Sequence, residues 1–489
     1  LVDFGIVNAN VITMDQAKPR AAALAVKGDR IVAVGSNEEI VKLAPERALD
    51  LGGRAVLPGF IEGHTHIIDH GIVLTADQGL ASSVACSELR LDSRRVLSQW
   101  PLCDSGLTNN ICEWGSYLPR DVFVTYAIPK EDFFAGFRAV SALLVSFGIT
   151  SLHDLGASGA RRMARETRYI REAIATGVFK PRIYLGVRDD ATEALPEADL
   201  EVRTGAGDER LKVGFMKIFA DGTMTGRSAA LFERYADWPT RGYLLKSPSA
   251  LKEVIAGAYK MGLEVAVHAL GDRAIYHVLE AMEAAAEAVP GEHRPRIEHC
   301  RLTSPVLSRW ARDLGVLMVP QQASIRFLGQ RDTGRVGEAK AKWLHPYRTW
   351  LEMGIRVVGS SDAPVYFPKV ESNPFLGIKA AVTRETEEPG RLLAPEEAVT
   401  VEQGLRMYTL DAAYAAYEEH LKGSLEAGKL ADFVVLNQDP LAVPAAELDR
   451  VQVDMTFIGG EKVFERDPSA GPRLPEGKAY FREVEKLFI

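Results

Sequence analysis

Leu57-Pro58-Gly59-Phe60-Ile61-Glu62-Gly63-His64-Thr65-His66 closes a short apolar run on two histidines one residue apart. On a β-strand, residues two apart face the same way, so the side chains of His64 and His66 project together. Two imidazoles aimed at one point are half of a metal site. An isolated H-x-H is more often a solvated strand-end loop, so the reading depends on what the rest of the chain places beside it.

Downstream of this stretch the pattern repeats. Strand-like apolar runs at 55–66, 149–156, 182–187, 213–222, 263–271, 295–300, 315–323 and 355–365 alternate with amphipathic segments of helix length at 131–147, 160–177, 249–261, 273–288, 304–313, 337–353 and 396–418. Such alternation signals parallel strands joined by crossover helices. Eight units predict an α/β chain centred on a closed (β/α)8 TIM barrel, in preference to an open doubly wound sheet.

The two ends read differently. Residues 1–57 and 420–465 alternate apolar and polar positions around turns, as in Gly28-Asp29-Arg30-Ile31-Val32-Ala33-Val34-Gly35 and Lys429-Leu430-Ala431-Asp432-Phe433-Val434-Val435-Leu436. Two half-sheets at opposite ends bury their apolar faces by meeting, which predicts one small β-sandwich built from both termini. Residues 58–419 are then the barrel domain and 466–489 a C-terminal tail. From about 75 to 130 the periodicity is poor, and Trp100-Pro101, Trp114 and Pro119 interrupt regular structure. This stretch reads as an insertion after the first strand, either a cover over the active site, the favoured reading, or a surface embellishment.

Composition narrows the function classes. The chain has 489 residues, 47% hydrophobic and 25% charged, with a formal net charge of −8. That is ordinary globular material without the basic surface a nucleic-acid partner requires. Cys86, Cys103, Cys112 and Cys300 form no C-x-x-C pair, which points to a reducing compartment. With no apolar run long enough to span a bilayer and no leader pattern at the N-terminus, the expectation is a cytoplasmic protein with no membrane partner. A homodimer is the default expectation for its assembly. G-x-S-x-G, H-E-x-x-H and Walker-type motifs are missing from the sequence, so no organic cofactor is expected.

Chemistry in such a barrel sits at the C-terminal strand ends, and residues able to bind metal stand where the apolar runs end. Lys217 interrupts the fourth run, His268 ends the fifth, His299 the sixth, and Asp362 the eighth. Each has an ordinary explanation taken alone: a hydrogen-bonded core histidine, a Lys217–Asp221 pair, an Asx turn at Asp362. The order H-x-H, K, H, H, D at successive strand ends is hard to obtain by accident.

These residues, with Lys217-Ile218-Phe219-Ala220-Asp221-Gly222-Thr223, His268-Ala269-Leu270-Gly271-Asp272-Arg273-Ala274, Ile297-Glu298-His299, Ser361-Asp362-Ala363-Pro364-Val365 and the tail piece Gly423-Ser424-Leu425-Glu426-Ala427-Gly428-Lys429-Leu430-Ala431-Asp432, resemble the amidohydrolase superfamily. Within it they are similar to the YtcJ-like metal-dependent hydrolases, the amidohydrolase 3 group. One departure is visible: Glu62 stands where the family usually has Asp.

The resemblance implies one or two divalent ions, zinc being suited to imidazole ligands. His64 and His66 would hold one ion, His268 and His299 the other, with Asp362 reaching the first. It also implies that Lys217, held in an apolar strand, is carboxylated and bridges two ions. The implied activity is hydrolysis of a carbon–nitrogen (amide) bond in a small N-acyl or N-formyl amine by a metal-activated hydroxide, with Asp362 moving the proton. An ester, a lactone or a deaminatable ring is the alternative substrate class for the same site, and a non-catalytic binding relative is the alternative role. His153 is a further catalytic candidate, as a donor to the substrate carbonyl, with a structural hydrogen bond as the competing reading. Asp221, Arg227, Asp272 and Arg273 are candidate substrate contacts, with ordinary ion pairs as the competing reading.

Overall fold

The computed structural model describes residues 2–76, 130–156, 159–364, 372–467 and 469. The expected insertion at 75–130 and the tail at 466–489 fall almost entirely outside these residues, as do Cys86, Cys103 and Cys112.

Seven parallel strands follow one another around a nearly closed barrel. They are Phe60–Thr65, Ile149–Asp154, Arg182–Arg188, Leu211–Phe219, Glu264–Ala269, Arg296–His299 and Leu317–Val319, each paired with its neighbours in chain order. The helices between them start where the sequence supplies caps. Ser247 and Ser304 accept from the third backbone N–H beyond them, and each is followed by proline at the first helical position, a residue whose fixed φ suits a helix start.

The eighth run, expected as a strand over 355–365, is not a regular strand. It touches both barrel edges through isolated parallel bridges, Met318↔Val357 and Gln321↔Ser360 on one side and Thr65↔Ala363 on the other. Val358 and Asp362 keep strand-like bonds, donating to the carbonyls of Met318 (2.8 Å) and His64 (2.8 Å), but the three donors between them go elsewhere. The N–H of Gly359 donates to the Met407 carbonyl (2.9 Å), that of Ser360 to Gln322 Oε1 (2.9 Å) and that of Ser361 to Glu62 Oε1 (2.9 Å). Side-chain and helix acceptors thus replace the ladder, and the backbone is satisfied without β geometry.

Two expected helices are also divided. The 337–353 segment is Glu338–Ala341 and Tyr347–Glu352, separated at Pro346, and 396–418 is Val401–Met407 and Leu410–Ala415. Helices at Ile67–Ala76, Ser324–Val336 and Pro374–Thr383 were not expected from the sequence.

The floor of the barrel is packed shut. Ile61, Leu317, Val319 and Val358 meet Ala412, Ala413 and Ala415 of the helix after the barrel, while Tyr184, Phe215 and Ala266 meet Ala416. A filled floor leaves the C-terminal strand ends as the open face.

Strands from both chain ends form two further sheets. Arg30–Gly35, Ala23–Lys27, Phe4–Val7 and Arg47–Asp50 make one; Glu461–Glu465, Val453–Ile458, Phe433–Leu436, Ala55–Pro58, Asn10–Ile12 and Arg20–Ala21 make the other. Phe4, Leu24 and Ile31 of the first share a buried cluster with Val56, Phe433 and Phe457 of the second.

A buried ion pair ties these sheets to the barrel. Arg182, at the start of the third barrel strand, donates from Nε to Asp432 Oδ2 (2.7 Å) and from Nη2 to Oδ1 (3.0 Å). Asp432 Oδ1 also accepts the Gly459 N–H at 2.7 Å. Removing one partner leaves a buried charge without compensation, so Asp432→Ala should lower the free energy of unfolding by about 3–5 kcal/mol in urea denaturation. A loss below about 1 kcal/mol would show that the pair behaves like an exposed one.

Candidate metal centre

Five of the six expected ligands converge at the open end. His64 Nε2 lies 3.2 Å from Asp362 Oδ1, His66 Nε2 3.5 Å from the same oxygen, and His299 Nδ1 3.9 Å from Asp362 Oδ2. The His268 ring centroid is 4.5 Å from that of His299, and His299 is 4.9 Å from His64. His64, His299 and Asp362 alone offer ligand atoms within 4.8 Å of one another, and all three are buried. The backbone is bent to aim two of these groups: His299 has φ 68° and Asp362 φ 61°, left-handed values that non-glycine residues adopt at a cost and mostly at functional positions.

An imidazole binds a cation through a nitrogen lone pair, so the other nitrogen should carry hydrogen and be held. Three of the histidines meet this condition. Nδ1 of His64 donates to Glu298 Oε2 (2.5 Å), Nδ1 of His299 to Gln321 Oε1 (2.8 Å), and Nε2 of His268 to the Gly222 carbonyl (3.0 Å). These bonds leave Nε2 of His64, Nε2 of His299 and Nδ1 of His268 as free lone pairs. Burial, together with the Lys217 charge, pushes His268 down to about 3, and burial beside His268 pushes His299 well below the ordinary histidine value. Both rings are neutral at pH 7. Burial pushes the Asp362 carboxyl up, but His64, His66 and His299 outweigh it and hold that group well below the usual range. Imidazole nitrogens gathered around one carboxylate are the donor set that suits a zinc-like ion.

Lys217 lies within the same electrostatic field. Its side chain is 1% exposed, its Nζ is 4.9 Å from the Phe219 ring centroid, and Arg188 lies over that ring at 4.2 Å. Burial lowers its pKa to about 8, against the pull of Glu298 and Asp362.

The remaining sequence candidates serve other contacts. Asp221 Oδ1 accepts the N–H of Leu270 (3.0 Å), and Oδ2 those of Gly271 (3.0 Å) and Ala230 (2.8 Å). That carboxylate clamps the loop after the fourth strand onto the fifth, and burial pushes its pKa up to about 7 against these donors. Arg227 pairs with Asp237, its Nη2 2.7 Å from Oδ2. Asp272 accepts from Phe232 N–H (3.0 Å), and Arg273 Nη2 donates to the Gly242 carbonyl (3.1 Å), so both hold the same loop. His153 is buried, with Nδ1 2.9 Å from Arg296 Nη1.

Sequence reasoning passed over Glu298, Arg296 and Gln321 as participants. Glu298 and Arg296 are two apart on one strand and therefore share the inward face, and Gln321 is a polar break at the end of an apolar run; those were the available signals. Glu62 bridges the closure: its Oε1 accepts both the His64 N–H (3.0 Å) and the Ser361 N–H (2.9 Å), and burial raises its pKa to about 7.

The sequence profile of the amidohydrolase family matches residues 118–464. The amidohydrolase-family protein YtcJ of Bacillus subtilis is 32% identical, over 93% of this chain and 98% of the relative. The N-substituted formamide deformylase of Arthrobacter pascens is 28% identical, over 96% of this chain and 99% of the relative. Among solved structures, an uncharacterized metal-dependent hydrolase from Pyrococcus horikoshii superposes with a TM-score of 0.74 at 21% identity, covering 90% of this chain and 99% of that one. The fold and site define a metal-dependent hydrolase. The chain belongs to the amidohydrolase family.

The Lys217 environment predicts a pH signature. Its pKa of about 8 lies below the ordinary 10.5, so between those values the unfolded chain holds more protons than the folded one, and stability rises with pH. In carbonate-free buffer, metal-free protein should gain on the order of 3 kcal/mol across this window relative to Lys217→Met. Parallel stability curves for the two proteins would contradict it.

Proposed function

We propose that this protein hydrolyses the carbon–nitrogen bond of a small N-acyl or N-formyl amine at the centre formed by His64, His66, Lys217, His268, His299 and Asp362. The observation that carries the proposal is Asp362, a buried carboxylate kept charged with His64 Nε2 at 3.2 Å and His66 Nε2 at 3.5 Å from one of its oxygens. His64 and His66 would hold one divalent ion, His268 and His299 a second. Zinc so bound supplies Lewis acidity, acidifying water and polarising a carbonyl.

The residues perform the rest. Asp362 accepts a proton from the attacking water as its oxygen bonds to the carbonyl carbon, then returns that proton to the amide nitrogen as the carbon–nitrogen bond breaks. Acid and amine leave, and the carboxylate is regenerated. His153 is read as the donor to the substrate carbonyl: Arg296 holds its Nδ1 at 2.9 Å, so its hydrogen lies on Nε2, which has no hydrogen-bond partner among the described residues.

Lys217 enters as a carbamate. Its neutral amine adds to carbon dioxide through Nζ and loses a proton, giving an anionic group with two oxygens. A pKa of about 8 makes the reactive amine accessible near neutral pH, and the carbamate would offer anionic oxygens to bound metal. The surrounding frame is read as a (β/α)8 barrel whose eighth position is the irregular 355–363 segment, with the two outer sheets as a sandwich from both termini.

The formamide deformylase likeness supports the N-formyl side of this substrate class. Zinc-reconstituted protein should hydrolyse members of an N-substituted formamide and N-acyl amine panel. Asp362→Asn should lower kcat by roughly 10²–10⁴-fold while zinc content, measured by mass spectrometry, is unchanged. Turnover confined to esters, or an Asp362→Asn variant as fast as the parent, would refute the assignment.

A further inference from the structure

Beneath the histidines, a buried polar column joins side chains that do not reach the centre itself. Arg296 is 1% exposed in the barrel interior. Its Nε donates to Glu298 Oε1 (2.6 Å), and its Nη2 to Glu298 Oε2 (3.2 Å) and to the Gly63 carbonyl (2.6 Å). Nη1 donates to His153 Nδ1 (2.9 Å), and the guanidinium carbon lies 4.5 Å from the Phe215 ring centroid. One planar fork therefore meets the first, second, fourth and sixth strands. Above it, Glu298 Oε2 receives Nδ1–H of His64.

In the neutral ring that metal binding requires, the one hydrogen on His64 has two claimants. Asp362 Oδ1 is 3.2 Å from Nε2 and Glu298 Oε2 is 2.5 Å from Nδ1. If Asp362 wins, Nε2 carries the hydrogen, the nitrogen facing the centre has no lone pair, and histidine and aspartate close on each other. If Glu298 wins, Nε2 is free. The shorter bond favours Glu298, and the Arg296 fork, bonded to both oxygens of that carboxylate, holds it in place as the acceptor. A guanidinium only donates, so the Arg296 fork needs an acceptor at His153 Nδ1, which places the His153 hydrogen on Nε2. Burial and the Arg296 charge hold His153 neutral, as that bond requires.

We infer that Glu298 and Arg296, with His153 as the acceptor that fixes the guanidinium, are positioning residues that set the tautomer of His64 so that Nε2 faces the metal centre. The inference rests on the metal reading above. It differs from a purely structural role, in which the column would stabilise the barrel interior and leave His64 indifferent to it.

The test is zinc affinity by chelator competition on the full chain, with the His64 tautomer of metal-free protein read by ¹⁵N-histidine NMR. Wild type, Glu298→Gln, Arg296→Lys and the double variant are compared. Glu298→Gln keeps the shape and loses the charge; Arg296→Lys keeps a cation and loses the fork, and serves if the first variant folds poorly. Each single variant should bind zinc on the order of 10–100-fold more weakly, shift the His64 hydrogen towards Nε2, and combine non-additively in the double variant. Folded variants that bind zinc as wild type does, or that leave the His64 tautomer unchanged, overturn the inference while the metal reading stands. A wild-type chain that binds no zinc overturns both.

Discussion

An imidazole next to a carboxylate gives up its lone pair unless something else takes its hydrogen. Asp362 stands 3.2 Å from His64 and 3.9 Å from His299, so these contacts would become internal hydrogen bonds if the histidines had no other acceptors. Glu298, Gln321 and the Gly222 carbonyl supply them. The outward supports thus decide the chemistry of the inward face, and each comes from a different part of the barrel: the sixth strand, the end of the seventh, and the loop after the fourth.

The fold makes these supports rigid. A packed floor of apolar strand residues and the helix at Leu410–Ala415 leaves no slack below the centre. At the seam, Glu62 Oε1 binds the backbone of His64 and Ser361 together, so the first and last barrel segments are joined at the residues flanking their ligands. The longer side chain at this position, where the family usually has aspartate, reaches both donors across the gap.

Much of this was legible in the sequence because strand pleating has a period of two and the ligands end apolar runs. His64 and His66 were paired by that rule, and Lys217 was conspicuous as an amine inside Phe215–Phe219. The eighth strand misled because Val357-Val358 reads as apolar β material, whereas its neighbours donate to Met407, Gln322 and Glu62, partners hundreds of residues away or on other elements. Asp221, Asp272 and Arg273 are legible as candidate substrate contacts because charged residues beyond strand ends usually face the opening; their bonds to the loop after the fourth strand are not. Those bonds depend on tertiary contacts that no local pattern encodes. Glu298 stays hidden in the sequence, since a glutamate beside a histidine reads as surface unless its strand face is tracked.

The account stands on a divalent ion seated between His64 and Asp362. Anomalous diffraction at the zinc absorption edge, on crystals of zinc-loaded protein, tests this directly. A peak roughly 2.0–2.2 Å from His64 Nε2 and an Asp362 oxygen is the predicted result. Density at the edge only on surface histidines, with His64 and Asp362 hydrogen-bonded to each other, would contradict it.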